Sequence, residues 1–136
     1  VYQEGKNNEW ELACSMSNDD KSQQVSFVNS LWTINGGRHV DYIQNQIVRK
    51  LTEVIQNNNK NITVKPSYIK DRLFIFLKST IVNPTFSSQT KEELTTNIKD
   101  FGFRFDVSDE FILKLSKCGI IEEIVAFSRH KESREM

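Results

Sequence analysis

Cysteine is scarce in this 136-residue chain: Cys14 and Cys118 lie far apart, with no histidine or carboxylate at metal-ligand spacing. A disulfide scaffold is excluded, and the two thiols read as small apolar side chains in a reducing, intracellular setting. An excess of one charge is missing too, since eighteen Lys and Arg balance eighteen Asp and Glu. No net field draws the chain to nucleic acid or membrane, so any DNA contact needs a local patch. No apolar run approaches the roughly eighteen residues of a membrane span, and the N-terminus lacks a basic-then-apolar signal. The two histidines, His39 and His130, join no Ser-His-Asp order, and a Gly-rich phosphate loop is absent. The residues therefore hold no self-contained catalytic constellation. The first residue is Val1 rather than Met, which is read as the cut end of something longer.

What is present reads as one α+β domain of ordinary size, burying roughly two thirds of its unfolded surface. Residues 1–8 are polar and expected to be loose. From 10 to 16, Trp10, Leu12, Cys14 and Met16 share one side of an alternating run, the pattern of a half-buried strand. A polar turn at 17–22 predicts a hairpin into a second strand at 25–34. That strand sets Val25, Phe27 and Leu31 against Ser26, Val28, Trp32 and Ile34. Asn29 and Ser30 within it are either buried with a partner or mark where the sheet ceases to be covered. Asn35-Gly36-Gly37 ends the run. Val40, Ile43, Ile47, Leu51 and Val54 then recur at helical spacing, with Val48 and Ile55 widening the stripe. The two glycines supply backbone freedom before a helix, or else helix N-terminal amides for an anion. His39, at the helix start, is structural or belongs to an interface. His130 lies in a charged tail and is solvated.

The helix is expected to end in the amides of 56–61, and 62–64 to be briefly extended. Pro66 starts a turn or short helix through Ile69. Residues 73–81 read as a central strand, apolar on both faces, with Lys78 off the covered face near its end. A loop at 95–100 and an edge strand or extended segment at 101–105 follow. Ser108 is an N-cap with Asp109 and Glu110 in the first turn; Phe111, Ile112, Leu115 and Cys118 form the buried stripe, and Gly119 is a left-handed cap. The last helix, 120–134, is apolar through Ile121, Ile124, Val125 and Phe127, then charged.

Between the central strand and the acidic pair Glu92 and Glu93 runs Asn83-Pro84-Thr85-Phe86-Ser87-Ser88-Gln89-Thr90-Lys91. Pro84 donates no hydrogen bond and keeps Asn83 out of the helical region, so the strand ends in a tight turn. Gln89, Thr90 and Lys91 are then presented beyond the sheet edge. An ammonium beside an amide and a hydroxyl suits phosphate oxygens; the same residues also suit a solubilising turn.

This loop resembles that of eukaryotic type II DNA topoisomerases, ATP-dependent enzymes that pass one duplex through another. Two further blocks fit in the same order: residues 25–31 with Gly36-Gly37-Arg38-His39-Val40-Asp41-Tyr42-Ile43, and Ser108, Phe111 and Ile112 with Gly119-Ile120-Ile121-Glu122. The similarity covers about residues 10–127 and corresponds to the transducer domain beside a GHKL-type ATPase. The resemblance implies a mixed four-stranded sheet covered on one face by helices, like the second domain of ribosomal protein S-five, with a left-handed βαβ crossover. It implies one transducer domain over 1–136, an ATP-binding domain upstream and a DNA gate downstream. ATP and Mg2+ would be held mainly by the upstream domain. Lys91 would contact the γ-phosphate catalytically, with Gln89 and Thr90 at the same nucleotide. It further implies a nuclear, homodimeric isomerase that acts on duplex DNA, the fragment alone being inactive. Gln56, Asn57, Asn58, Lys60 and Lys65 occupy the place of a basic DNA-facing cluster; Lys60, Lys65, Lys70 and Arg72 form a modest phosphate patch or a solvated face. The alternative is a non-enzymatic interaction domain of the same fold that binds protein or an anion.

Overall fold

Leu73, Ile75, Leu77 and Ser79 are buried along one side of a seven-residue strand, while Phe74, Phe76 and Lys78 alternate onto the other. In the computed structural model, which describes residues 2–5, 9–17, 21–58, 64–102 and 105–135, this strand is the middle of a mixed sheet. The strands are β1 (Tyr2–Glu4), β2 (Trp10–Met16), β3 (Gln23–Val28), β4 (Leu31–Trp32) and β5 (Leu73–Ser79), in the spatial order β1-β2-β5-β3-β4. The helices are α1 (Arg38–Asn58), α2 (Pro66–Lys70), α3 (Asp109–Leu115) and α4 (Ile121–Glu135), with a 3-10 turn at Ile98–Asp100.

The architecture is the expected α+β one, with five strands rather than four. The N-terminal segment is not loose: Tyr2, Gln3 and Glu4 pair antiparallel with Ala13, Leu12 and Glu11. Gln3 holds it in place, donating from Nε2 to Asp106 O and accepting from Ser108 N. Nor do β2 and β3 form a hairpin. β5 lies between them, antiparallel to β2 from Trp10↔Ser79 to Met16↔Leu73, and parallel to β3 from Gln23↔Phe74 to Val28↔Ser79. A parallel pair needs a long crossover, and α1 with α2 supplies it. The run read as one strand over 25–34 is two, β3 and β4, joined at Asn29 and Ser30. Both have positive φ, +50 and +71, as a two-residue hairpin turn requires.

One face of the sheet carries the helices. Trp10, Leu12 and Cys14 of β2 and the inward row of β5 meet Val40, Ile43, Ile47, Val48, Leu51 and Ile55 of α1. Each such aliphatic side chain stabilises the fold by roughly 1.5–3 kcal/mol on full burial. In β3 the covered residues are Ser26 and Val28, while Val25 and Phe27 face outward with the stacked Phe74 and Phe76. Ser26 is tolerated inside because its hydroxyl is 2.6 Å from Thr33 Oγ1 and 2.7 Å from Gln24 Oε1.

Among the described residues of 101–105, which leave out 103–104, none is in a strand. Instead Phe101 and Phe105 insert beside Trp10 and Tyr42, all at ring separations of 5.8–5.9 Å. Side chains replace the missing strand partner. Gln46 donates to Phe105 O and accepts from Val107 N, both at 2.9 Å, and Tyr42 Oη accepts from Phe105 N. Ser108 Oγ caps α3 by accepting from Phe111 N, and Lys50 bridges to Asp109 at 3.1 Å. Between α3 and α4, Gly119 takes φ +89, where an L side chain is disfavoured. α4 returns against α2 through Tyr68 and Phe127, 4.9 Å apart and edge-on. The Cys118 side chain and the expected extension at 62–63 lie outside the described residues.

Candidate functional site

β5 stops where its backbone partners are replaced by loop contacts. Thr80 N donates to Glu9 O, and Val82 N donates to Phe101 O. Asn83 then turns with φ +47, ahead of Pro84. The chain leaves the sheet and returns over residues 83–97 as a closed loop. Its neck is hydrogen-bonded: Thr95 N to Thr85 O at 2.8 Å, Thr85 N to Thr96 Oγ1 at 2.7 Å and Ser87 N to Glu93 O at 3.0 Å. Phe86 and Leu94 face each other across it.

The tip carries the predicted residues. Lys91 N donates to Ser88 O at 3.2 Å to close a turn, Lys91 itself has φ +58, and Ser88 and Thr90 share a hydroxyl contact of 2.6 Å. Gln89, Thr90 and Lys91 are all exposed. The Lys91 ammonium lies 5.9 Å from the centre of the Phe86 ring, and no ion pair engages it among the described residues. Phe86 limits where the ammonium stands without neutralising it. What results is a positive charge with an amide and a hydroxyl beside it, on a neck that cannot swing freely. The tip is a surface projection rather than a pocket, so an anion bound there would need a second wall from another domain.

The loop is fastened to the start of α1. Leu94 N donates to Gly36 O and Arg38 N donates to Leu94 O, both at 3.1 Å, on either side of Gly37. Asn35 N donates to Glu92 O at 2.9 Å, and Asn35 Nδ2 reaches Glu92 Oε2 at 3.4 Å. Two of the stretches that carry the resemblance, the loop from Asn83 and the block that opens at Gly36, are thus joined in the structure. The Arg38 amide that follows Gly36 and Gly37 is occupied by Leu94 O, which leaves it unavailable to an anion. The contact of Asn35 with Glu92 leaves no local signal, because the two are 57 residues apart; that of Phe86 with Lys91 is local, but the motif does not show that the ring faces the ammonium.

His39 lies under this junction, fully buried, with Nε2 at 3.1 Å from Thr33 Oγ1, which itself donates to Ser26 O. Burial lowers its pKa from 6.5 to about 4, so it is neutral at physiological pH. Its place is structural.

The proposed DNA-facing residues stand at the far end of α1, about 30 Å along a helix of 21 residues. Gln56 is half-buried and Asn57 exposed in the last turn, and Lys65 is exposed just before α2. Lys60 and the Asn58 side chain lie outside the described residues. Arg72 does not belong to a surface patch. It is buried, its guanidinium 4.9 Å over the Phe127 ring, because the α2–β5 turn packs beneath α4. Among the described residues, no three His, Cys, Asp or Glu side chains come together to hold a metal.

The DNA gyrase B family matches residues 1–136. The chain is 42% identical over 137 residues to DNA topoisomerase 2 of Drosophila melanogaster, covering 100% of this chain and 9% of that protein. It is 47% identical over 124 residues to DNA topoisomerase 2 of Candida glabrata, covering 91% of this chain and again 9% of the relative. The ATPase and transducer domains of DNA topoisomerase II from Balamuthia mandrillaris superpose with a TM-score of 0.93 at 34% identity, covering 98% of this chain and 34% of that one. The ATPase region of Saccharomyces cerevisiae topoisomerase II gives 0.85 at 43%, covering 95% and 32%. The chain therefore spans about a tenth of the curated relatives it matches.

Proposed function

Because the chain belongs to the DNA gyrase B family, we propose that it is the transducer of an ATP-dependent type II DNA topoisomerase, with Lys91 delivered to the ATP γ-phosphate. The observation that carries this is the tip itself: an exposed ammonium, without an ion pair among the described residues, on a hydrogen-bonded neck fixed to both sheet and helix. A cation held at the terminal phosphate offsets the negative charge that spreads over the transferring group. Gln89 adds a neutral donor and Thr90 a hydroxyl. ATP, Mg2+ and the general base belong to a preceding ATP-binding domain, which forms the other wall of the site.

The same contact reads the nucleotide state. With triphosphate bound, Lys91 holds the loop to the neighbouring domain; after hydrolysis that contact is lost and the transducer is free to rotate. The neck and α1 carry the movement towards the DNA gate, and the 56–65 segment meets duplex DNA within a nuclear homodimer. The test is ATP turnover by the full-length protein, wild type against Lys91→Ala, with and without duplex DNA. The expected result is DNA-stimulated turnover in the wild type and at least a hundredfold loss in a variant that still binds nucleotide. Equal turnover would reduce the loop to a turn and leave an interaction domain.

A further inference from the structure

Lys91 is three residues from Leu94, and Leu94 is the point at which the loop is tied to the rest of the fold. The Leu94 side chain is buried and its backbone bonds both Gly36 and Arg38. Gly37, between them, has φ +133, and a Cβ built on it would stand 2.5 Å from both Leu94 N and Leu94 O. Real Cβ atoms do not approach backbone that closely, so the fit exists only while position 37 has no side chain. Gly36, with φ +73, meets nothing nearer than 3.4 Å. Both glycines have a positive φ that disfavours a side chain; of the two, only Gly37 adds a direct clash with the Leu94 backbone.

We propose that Gly37 is a positioning residue for Lys91: its missing side chain lets Leu94 lock onto the first turn of α1, and that lock sets where the ammonium stands. This rests on the reading of Lys91 as the phosphate contact. The lock also joins the loop rigidly to α1, because Arg38 N is a helix-start amide that would otherwise lack a partner. Displacing Leu94 moves the tip and the helix end relative to each other. Glu92 is held by Asn35 on the same side, so only Ser88 to Lys91 project beyond the tie.

The test uses the full-length protein and four variants: Gly37→Ala, Lys91→Ala, the two combined, and a single glycine inserted between Lys91 and Glu92. The insertion leaves the Leu94 lock intact in an exposed turn, where added length is tolerated, and shifts Lys91 by up to about 3.4 Å. Steady-state ATP turnover is measured together with hydrogen exchange at the Leu94 and Arg38 amides. Gly37→Ala is expected to lower kcat at least tenfold, to change KM for ATP less than threefold, and to lose protection at those two amides. The double variant is expected to be no slower than Lys91→Ala alone, and the insertion variant to resemble Lys91→Ala. A double variant clearly slower than Lys91→Ala, or a Gly37→Ala protein with wild-type kcat, overturns the proposal. If Gly37→Ala does not fold, the insertion decides: wild-type turnover in that variant also overturns it. Wild-type turnover in Lys91→Ala removes the phosphate reading itself, whereas a slow Lys91→Ala beside a fast Gly37→Ala removes only the lock.

Discussion

The carboxamide of Asn29 pairs with the backbone of Ile81 through both its atoms: Nδ2 donates to Ile81 O and Oδ1 accepts from Ile81 N, each at 3.0 Å. A side chain thus continues the β3–β5 ladder one step beyond the strands, where Asn29 N donates to Ser79 O. Asn29 also tolerates its φ of +50, which few other residues would. The start of the loop that carries Gln89, Thr90 and Lys91 is fixed by this contact.

Asn29→Ala is expected to destabilise the protein by about 2 kcal/mol, from two lost hydrogen bonds. Hydrogen exchange should show the Ile81 amide losing protection first. Asn29→Asp keeps the acceptor and loses the donor, so Ile81 N–H should stay protected while its carbonyl loses its partner.

His39 makes stability depend on pH. Its folded pKa, about 4, is below the ordinary 6.5, so at pH values between the two the unfolded chain binds a proton that the folded chain does not. The contribution is complete above pH 6.5, falls as the pH drops towards 4, and amounts to roughly 3 kcal/mol in total. Urea midpoints between pH 7.5 and 4.5 check this: the slope should shrink when His39 is replaced by Gln.

Trp10 anchors the aromatic cluster that stands in for the missing edge strand. Trp10→Ala is expected to lose about 3–5 kcal/mol. The indole Nε1 is buried without a hydrogen-bond partner among the described residues, so Trp10→Phe removes an unsatisfied donor along with some volume and should lose only about 1–2 kcal/mol. Thermal midpoints of the two variants order them.

Lys65 provides the check at the other end of α1. Lys65→Ala in the full-length protein should weaken duplex binding less than tenfold at low salt and reduce the salt slope by about 1. ATP turnover without DNA should not change. An unchanged salt slope would identify this end of the molecule as a solvated face.

Local chemistry made much of the fold legible. The alternation from Trp10 to Met16, the helical stripe from Val40 to Ile55, the Ser108 cap and the left-handed Gly119 are each written within a few residues, and each is found in the structure. The tight turn after β5 and the exposure of Gln89, Thr90 and Lys91 follow from Pro84 and the polar run in the same way. Periodicity does not say which strands are neighbours. That β5 separates β2 from β3 depends on the length of the α1–α2 crossover and on how many apolar rows α1 can cover. Residues 101–105 look like a strand because their aromatics alternate, yet the Phe101 and Phe105 rings are spent on Trp10 and Gln46 takes the Phe105 carbonyl. Gly37 reads locally as a flexible residue before a helix. The structure adds two causes that exclude a side chain there: a φ of +133 and the approach of Leu94, far along the chain. Composition and spacing determined which elements form and which residues are left to act; tertiary structure alone decided what those residues are fastened to, because hydrogen bonds and close packing between distant segments leave no periodic trace.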